Sequence, residues 1–159
     1  FDPDRVVEVH GAVDWDQCTE HCGVGIHAAG LAEIAINEAT FRASGALPTC
    51  PRCGALTRPN VLMFGDWDWD PDRSAEQEQR LSAWLKGLSG ALLVVIEAGA
   101  GRAVPTVRHF SERLVEKRNV VLVRINPREP EVPSGQIGIP LGTLETVHAI
   151  DGMLSAQAG

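Results

Sequence analysis

Cys18 and Cys22, then Cys50 and Cys53, form two close pairs, the first with three residues between its members and the second with two. Roughly thirty residues separate the pairs, close to the spacing of zinc ribbons, in which two short turns each present two sulfurs and four thiolates complete a tetrahedron around Zn²⁺. Pro51 and Gly54 suit the second turn, because Pro presets one backbone dihedral and Gly tolerates a tight exit. The extra residue in Cys18-Thr19-Glu20-His21-Cys22 leaves His21 as a candidate substitute ligand, although four thiolates already close the shell. Two disulfides, or four unrelated buried thiols, are the alternatives. No cysteine lies outside the pairs, and Phe1 to Arg5 shows no basic segment followed by an apolar core, the mark of a secreted chain, so one structural zinc ion is expected. A histidine, His10, precedes these cysteines in Val9-His10-Gly11.

The elements that must position these residues read as a mixed α/β pattern. Arg5 to His10 is short, β-branched and bounded by Pro3 and Gly11, which predicts a strand with His10 at its end. Leu31 to Ala43 carries Leu31, Ile34, Ala35 and Glu38 at helical spacing, diluted by Gly and Ala. Val61 to Phe64 predicts a strand ended by Gly65. Ser74, with Gln77 three residues on, predicts a capped helix whose apolar stripe is Leu81, Trp84, Leu85 and Leu88. Ala91 to Ile96 is a continuous apolar run of the kind covered on both faces. The glycine-containing loop Glu97 to Gly101 follows it. Pro105 and Thr106 then open a helix through about Lys117, with Val107, Phe110 and Leu114 on one side, and Val120 to Ile125 is the next buried strand. This βαβ unit predicts a parallel sheet with ligand sites at the carboxyl ends of its strands.

The chain has 159 residues, enough for one domain or one domain with a small zinc-bound lobe. Its 14 Lys+Arg against 21 Asp+Glu give a formal charge of −7, which argues against nucleic acid or anionic membranes as partners. The longest apolar run is far too short to span a bilayer, and no repeat appears. A soluble, cytoplasmic protein is expected.

Taken in order, Val9-His10-Gly11, the four cysteines, Arg58 to Asp66, the loop ending at Val104-Pro105, Arg124-Ile125-Asn126-Pro127 and Pro140-Leu141-Gly142 resemble the sirtuins, the NAD-dependent protein-lysine deacylases. The segment Met63 to Trp67 and the loop Gly99-Ala100-Gly101 look like a divergent bacterial-type branch. The resemblance implies a Rossmann-like NAD-binding lobe over residues 1–17 and 61–159, and a zinc-ribbon lobe over 18–60. An acyl-lysine peptide would enter between the lobes. His10 matches the catalytic base, which takes a proton from a ribose hydroxyl after nicotinamide has left, work suited to an imidazole titrating near neutral pH. A strand-end histidine satisfied by a carbonyl is the alternative reading. Val61, Phe64, Gly65 and Val104 are the candidate substrate contacts, since an apolar tunnel accepts a neutral acylated amine and rejects an ammonium. Asp66 stands where the family usually has Glu. Trp67 and Trp69 form part of the cleft rim, or else pack on the helix from Ser74.

Gly99 and Gly101 occupy the place of the family's Gly-Thr-Ser segment. The hydroxyl side chains are gone, but backbone N–H groups of a Gly-rich turn can still bind phosphate. Arg102 adds a charge contact or is solvated. Asn126 matches the residue that holds the adenosine ribose, with a turn residue before Pro127 as the alternative, and Leu144 is a candidate adenine contact. The family's initial strand with its Gly-Ala-Gly loop, its Arg-bearing loop and its Gln-Asn-x-Asp motif do not occur. A C-terminal portion is therefore expected, with a Rossmann-like sheet incomplete at its N-terminal half, an exposed edge and apolar face, and the missing N-terminal half as partner. Three functions compete. They are protein-lysine deacylation, NAD hydrolysis or ADP-ribosyl transfer from the same nicotinamide cleavage, and a non-catalytic zinc-ribbon interaction module.

Overall fold

In the computed structural model, residues 1–30, 34–88, 90–117 and 119–157 are described. Leu31, the first residue of the helix expected over 31–43, lies outside them. The chain divides into two units, Phe1–Gly87 and Leu88–Gly159.

In the first unit, Gly11–Cys18 (β1) is the central strand of an antiparallel sheet, flanked by His27–Ala28 (β2) and Thr57–Val61 (β5). Its pairing with β5 shifts between Ala12 and Asp16, a bulge that lets Val13 face outward while Asp16, Gln17 and Cys18 turn inward. β5 is an edge strand, which is why Pro59 is tolerated within it. The strand expected over Val61 to Phe64 therefore ends where it was expected to begin. Gly65 at φ +69° and the Asp66 carboxylate, which accepts from the Met63 and Asp68 N–H groups, turn the chain instead. A hairpin of Ala35–Asn37 (β3) and Arg42–Ser44 (β4) replaces the helix expected within 31–43. The Asn37 side chain accepts from the Ala39 and Thr40 N–H groups and fixes the turn, a local competitor that helical spacing does not reveal.

The strand expected over Arg5 to His10 does not form. Pro3–Arg5 is a 3₁₀ turn, and Val9-His10 turns into β1. The helix Asp72–Gly87 (α1) explains this. Its start is set by Asp70, whose carboxylate accepts from the Asp72 N–H at 3.1 Å, two residues before the expected cap. Ser74 and Gln77 are thereby released and take the Glu8 backbone: Ser74 Oγ donates to its carbonyl at 2.9 Å and Gln77 Oε1 accepts from its N–H at 2.8 Å. Arg73 pairs with the Glu8 carboxylate and lies over the Trp15 ring at 4.5 Å. Side chains occupy the bonds that a neighbouring strand would make. Of the expected stripe on α1, Leu85 is buried and Trp84 exposed.

The second unit is the expected βαβ arrangement: Leu93–Ala98 (β6), Thr106–Lys117 (α2) and Val120–Ile125 (β7), with Ile137–Ile139 (β8) added beyond it. All pairings are parallel, in the order β6-β7-β8. Thr143–Gln157 (α3) completes the unit. β7 supplies the core through Val120, Leu122 and Ile125. The run from Ala91 is not covered on both faces, for Val94 and Ile96 are exposed on β6, an edge strand among the described residues, and Leu92 is exposed just before it. The buried face of α2 centres on Arg108 and Ser111, and Val107 points to solvent, because the helix packs over a charged network described below. No described helix is long and apolar enough to cross a membrane.

Candidate functional site

The four cysteines meet. Cys18 ends β1, and the turn after it returns through His21 in the left-handed region at φ 44°, which accommodates the extra residue before Cys22. Cys50 and Cys53 sit on a second turn closed by the Gly54 N–H donating to the Cys50 carbonyl at 2.9 Å, with Gly54 at φ +74°. The turns are tied together by the Thr19 N–H on the Leu56 carbonyl at 3.1 Å. All four Sγ atoms lie within 4.8 Å of one another, with Cys18–Cys53 and Cys22–Cys50 at 3.6 Å. A disulfide needs about 2.05 Å, so these are free thiols. A tetrahedron with Zn–S bonds of about 2.3 Å has edges of about 3.8 Å, and the donor set fits one such ion. His21 is not part of the cluster.

The backbone is already arranged for negative sulfur. Glu20 N–H points at Cys18 Sγ, and Arg52 N–H at Cys50 Sγ, each at 3.4 Å. Burial opposes ionisation of Cys50, but the N–H groups of Cys53 and Arg52 outweigh it and hold the thiol at about 6. At Cys53 the Ala55 N–H favours the thiolate, yet burial and the three neighbouring sulfurs push the group up to about 12. A cation at the centre would remove the penalty that the neighbouring sulfurs place on the Cys53 thiolate.

His10 is half-buried in the turn before β1, and its carbonyl accepts from the Leu62 N–H at 2.9 Å. Gly11 pairs with Val61. The structure thus brings His10 and Val61 to one end of the β1–β5 pair. Phe64 and Gly65 lie beyond it on the turn, where the Phe64 side chain is 90% exposed. Asp66 is locked to Arg58 at 2.6 Å, and that guanidinium holds its carboxyl below the usual range. Trp67 is 95% exposed, and Trp69 is half-buried.

In the second unit, Gly99 and Asn126 lie at the carboxyl ends of β6 and β7. Gly99, at φ +72°, donates its N–H to the Ile125 carbonyl at 2.9 Å. Asn126 Nδ2 donates to the Ala100 carbonyl at 3.2 Å, and its Oδ1 accepts from the Arg128 and Glu129 N–H groups. Gly101 sits against Glu129, whose carboxylate accepts from the Arg102 N–H at 2.8 Å, and the Arg102 side chain pairs with Glu131 at 2.9 Å. Val104 and Leu144 are exposed.

Over 137 residues, 86% of the chain, the sequence is 31% identical to the NAD-dependent protein deacylase of Aeropyrum pernix. Over 63 residues, 39% of the chain, it is 40% identical to NAD-dependent protein deacetylase 1 of Pyrobaculum aerophilum. The chain is sirtuin-like. The matched stretches amount to 46% and 21% of those relatives, so the chain spans about half of their length or less. No family model matches it.

This sirtuin-like chain also depends on polar groups that the sequence reading passed over. Arg124, 0% exposed near the end of β7, donates to Glu97 at 2.5 and 3.1 Å, to Glu112 at 3.1 Å and to the Glu131 carbonyl at 2.5 Å. Burial works against its charge, but the two carboxylates prevail and raise its pKa further. Arg108 donates to the Ala100, Glu129 and Glu131 carbonyls. Together they brace both loops at the strand ends. The signal was present: an arginine inside Val120-Val121-Leu122-Val123-Arg124-Ile125 can be buried only with an acid, and Glu97 stands opposite it on the parallel strand. Gln17 and Asn60 carried no comparable signal.

Proposed function

We propose that this chain supplies part of an NAD-dependent protein-lysine deacylase. The observation that supports the reading is the backbone pairing of His10 and Gly11 with Leu62 and Val61, which brings the His10 main chain beside the segment assigned to the acyl-lysine. NAD supplies the electrophilic ribose carbon when nicotinamide leaves. His10 takes the proton from a ribose hydroxyl, Val61, Phe64, Gly65 and Val104 contact the acylated side chain, and the cysteines hold a structural zinc. The lobes are residues 1–17 with 61–159, and 18–60.

Gly99, Gly101, Asn126 and Leu144 are assigned to the adenosine half of NAD. The polar groups at this place fit a ribose better than a phosphate. The Gly99 and Arg102 N–H groups are paired within the protein, and the Glu129 carboxylate is an acceptor for hydroxyls and repels anions. Exposed Leu144 offers an apolar surface for a base. Hydrolysis of NAD, or ADP-ribosyl transfer, starts from the same cleavage and is separated from deacylation by the acceptor used.

The test is His10→Ala in the full-length protein, assayed on an acetyl-lysine peptide. Loss of a general base typically costs ~10²–10⁴-fold, at unchanged zinc content. A variant keeping more than about a tenth of the parent's rate, on that scale, removes His10 from the chemistry. Nicotinamide release without deacylation in the parent would favour the hydrolase reading.

A further inference from the structure

Gln17 precedes Cys18 on β1 and is 2% exposed, yet its amide serves the loop that follows β5. Its Nε2–H donates to the Asp68 carbonyl at 2.6 Å. Its Oε1 accepts from the Asp70 N–H at 3.0 Å and from Asn60 Nδ2 at 2.9 Å. Asn60, 0% exposed, also donates to the Asp70 carbonyl at 2.9 Å. Two buried side-chain amides thus make with the main chain of Asp68 and Asp70 the bonds that a further strand would make. The Arg58–Asp66 pair fixes the near end of the same loop. What the loop displays, Phe64 and Trp67, is exposed and gains nothing by itself from being held still. Both polar atoms of the Gln17 amide and the Asn60 Nδ2 group are bonded, while Asn60 Oδ1 has no partner; buried amides are costly to desolvate, and bonds of this kind specify a single backbone conformation. Preorganisation of a binding wall is what such a network supplies.

We propose that Gln17 is the positioning residue of the loop from Met63 to Asp70, and that through it the loop's conformation depends on the strand end that carries Cys18. The inference rests on the reading of this loop as the wall of the acyl-lysine site. Gln17 touches no reacting group and acts through the Asp68 and Asp70 main chain. Because it adjoins Cys18, an ordered four-cysteine site holds the amide in place, and a metal-free site releases it.

The experiment uses the full-length protein with Gln17→Met, which keeps length and removes both donor and acceptor. It also uses the exchange Gln17→Asn with Asn60→Gln, which restores an amide pair. Hydrogen exchange at the Asp70 amide, zinc content and steady-state kinetics on an acetyl-lysine peptide are measured. In Gln17→Met the Asp70 amide exchanges at least about tenfold faster and the KM for peptide rises about tenfold with little change in kcat, the scale of one or two lost hydrogen bonds. The double exchange recovers most of both. Removing zinc from the wild type speeds the Asp70 amide and adds little in Gln17→Met. Should Gln17→Met not fold, Gln17→Glu keeps both acceptor bonds and turns only the donor to Asp68 into a repulsion. An unchanged Asp70 amide, or a lowered melting point with an unchanged KM, overturns the proposal. A wild-type protein that does not deacylate sinks the deacylase reading alone, and the exchange measurement then still decides the role of Gln17.

Discussion

The Asn60 carbonyl oxygen lies 1.9 Å from the point where a Cβ on Gly11 would stand. Gly11 also has φ +74°, in the left-handed region. The glycine of Val9-His10-Gly11 is there for close approach of two backbones, and His10 owes its place beside Leu62 to that approach. Gly11→Ala must push β1 and β5 apart and should destabilise the first unit by at least ~1–3 kcal/mol, the range for a strained backbone position. All four tryptophans, Trp15, Trp67, Trp69 and Trp84, lie in this unit, so its urea midpoint can be followed by fluorescence alone. An unchanged midpoint would mean that the strands part freely.

Purified protein is expected to carry one zinc per chain, with sulfur–metal distances near about 2.3 Å by X-ray absorption. Cys50→Ser should release the metal and loosen both turns, since a closed thiolate shell ties metal binding to folding. Protein that is free of zinc while all four thiols react with a thiol reagent would refute the site.

Glu97→Leu leaves Arg124 buried with less of its counter-charge, which typically costs ~3–5 kcal/mol when one partner of a buried pair is removed. Adding Arg124→Met should return much of that loss, because an apolar pair has no charge to desolvate. Circular dichroism reads this transition, the second unit having no tryptophan. A double variant no more stable than the single one contradicts the account.

Glu8 is held below the usual carboxylate range by its bond from Gln77, with Arg73 adding to the effect against burial, and Asp66 by Arg58. A depressed folded pKa contributes stability that is complete above the unfolded value, about 4, and disappears as pH falls through the folded value. The fluorescence midpoint should therefore drop between about pH 5 and 3, and Glu8→Gln should flatten that slope. A midpoint that rises on acidification would reverse the sign and exclude both carboxylates as its cause.

Legibility in the sequence followed the range of the interactions. The cysteine pairs, α2 and β7 were readable because their signals are local: ligand spacing, Pro105 before a helix, a β-branched run. Ser74 and Gln77 have the right spacing for a cap, yet Asp70 supplies it and the pair clasps Glu8, 66 and 69 residues away. No local pattern could say so. The hairpin at Ala35–Ser44 was misread because Asn37 competes with helix through its side chain, and the early end of β5 reflects Asp66 acting on Met63 and Asp68. At the site, the amide pair Gln17–Asn60 joins two strands and a loop and has no sequence signature.

The open side of β6 bears on how this polypeptide behaves at high concentration. Its outer N–H and C=O groups have no described partner strand, and Leu92, Val94 and Ile96 are exposed on the strand or next to it. An apolar edge of this kind is a template on which another copy can add a strand. Partly folded molecules would then aggregate in competition with folding, with an order in protein concentration above one. Charge offers a natural remedy: lysine in place of Val94, whose side chain is exposed, puts a cation on that face while the main-chain pairing with Val121 of β7 is kept.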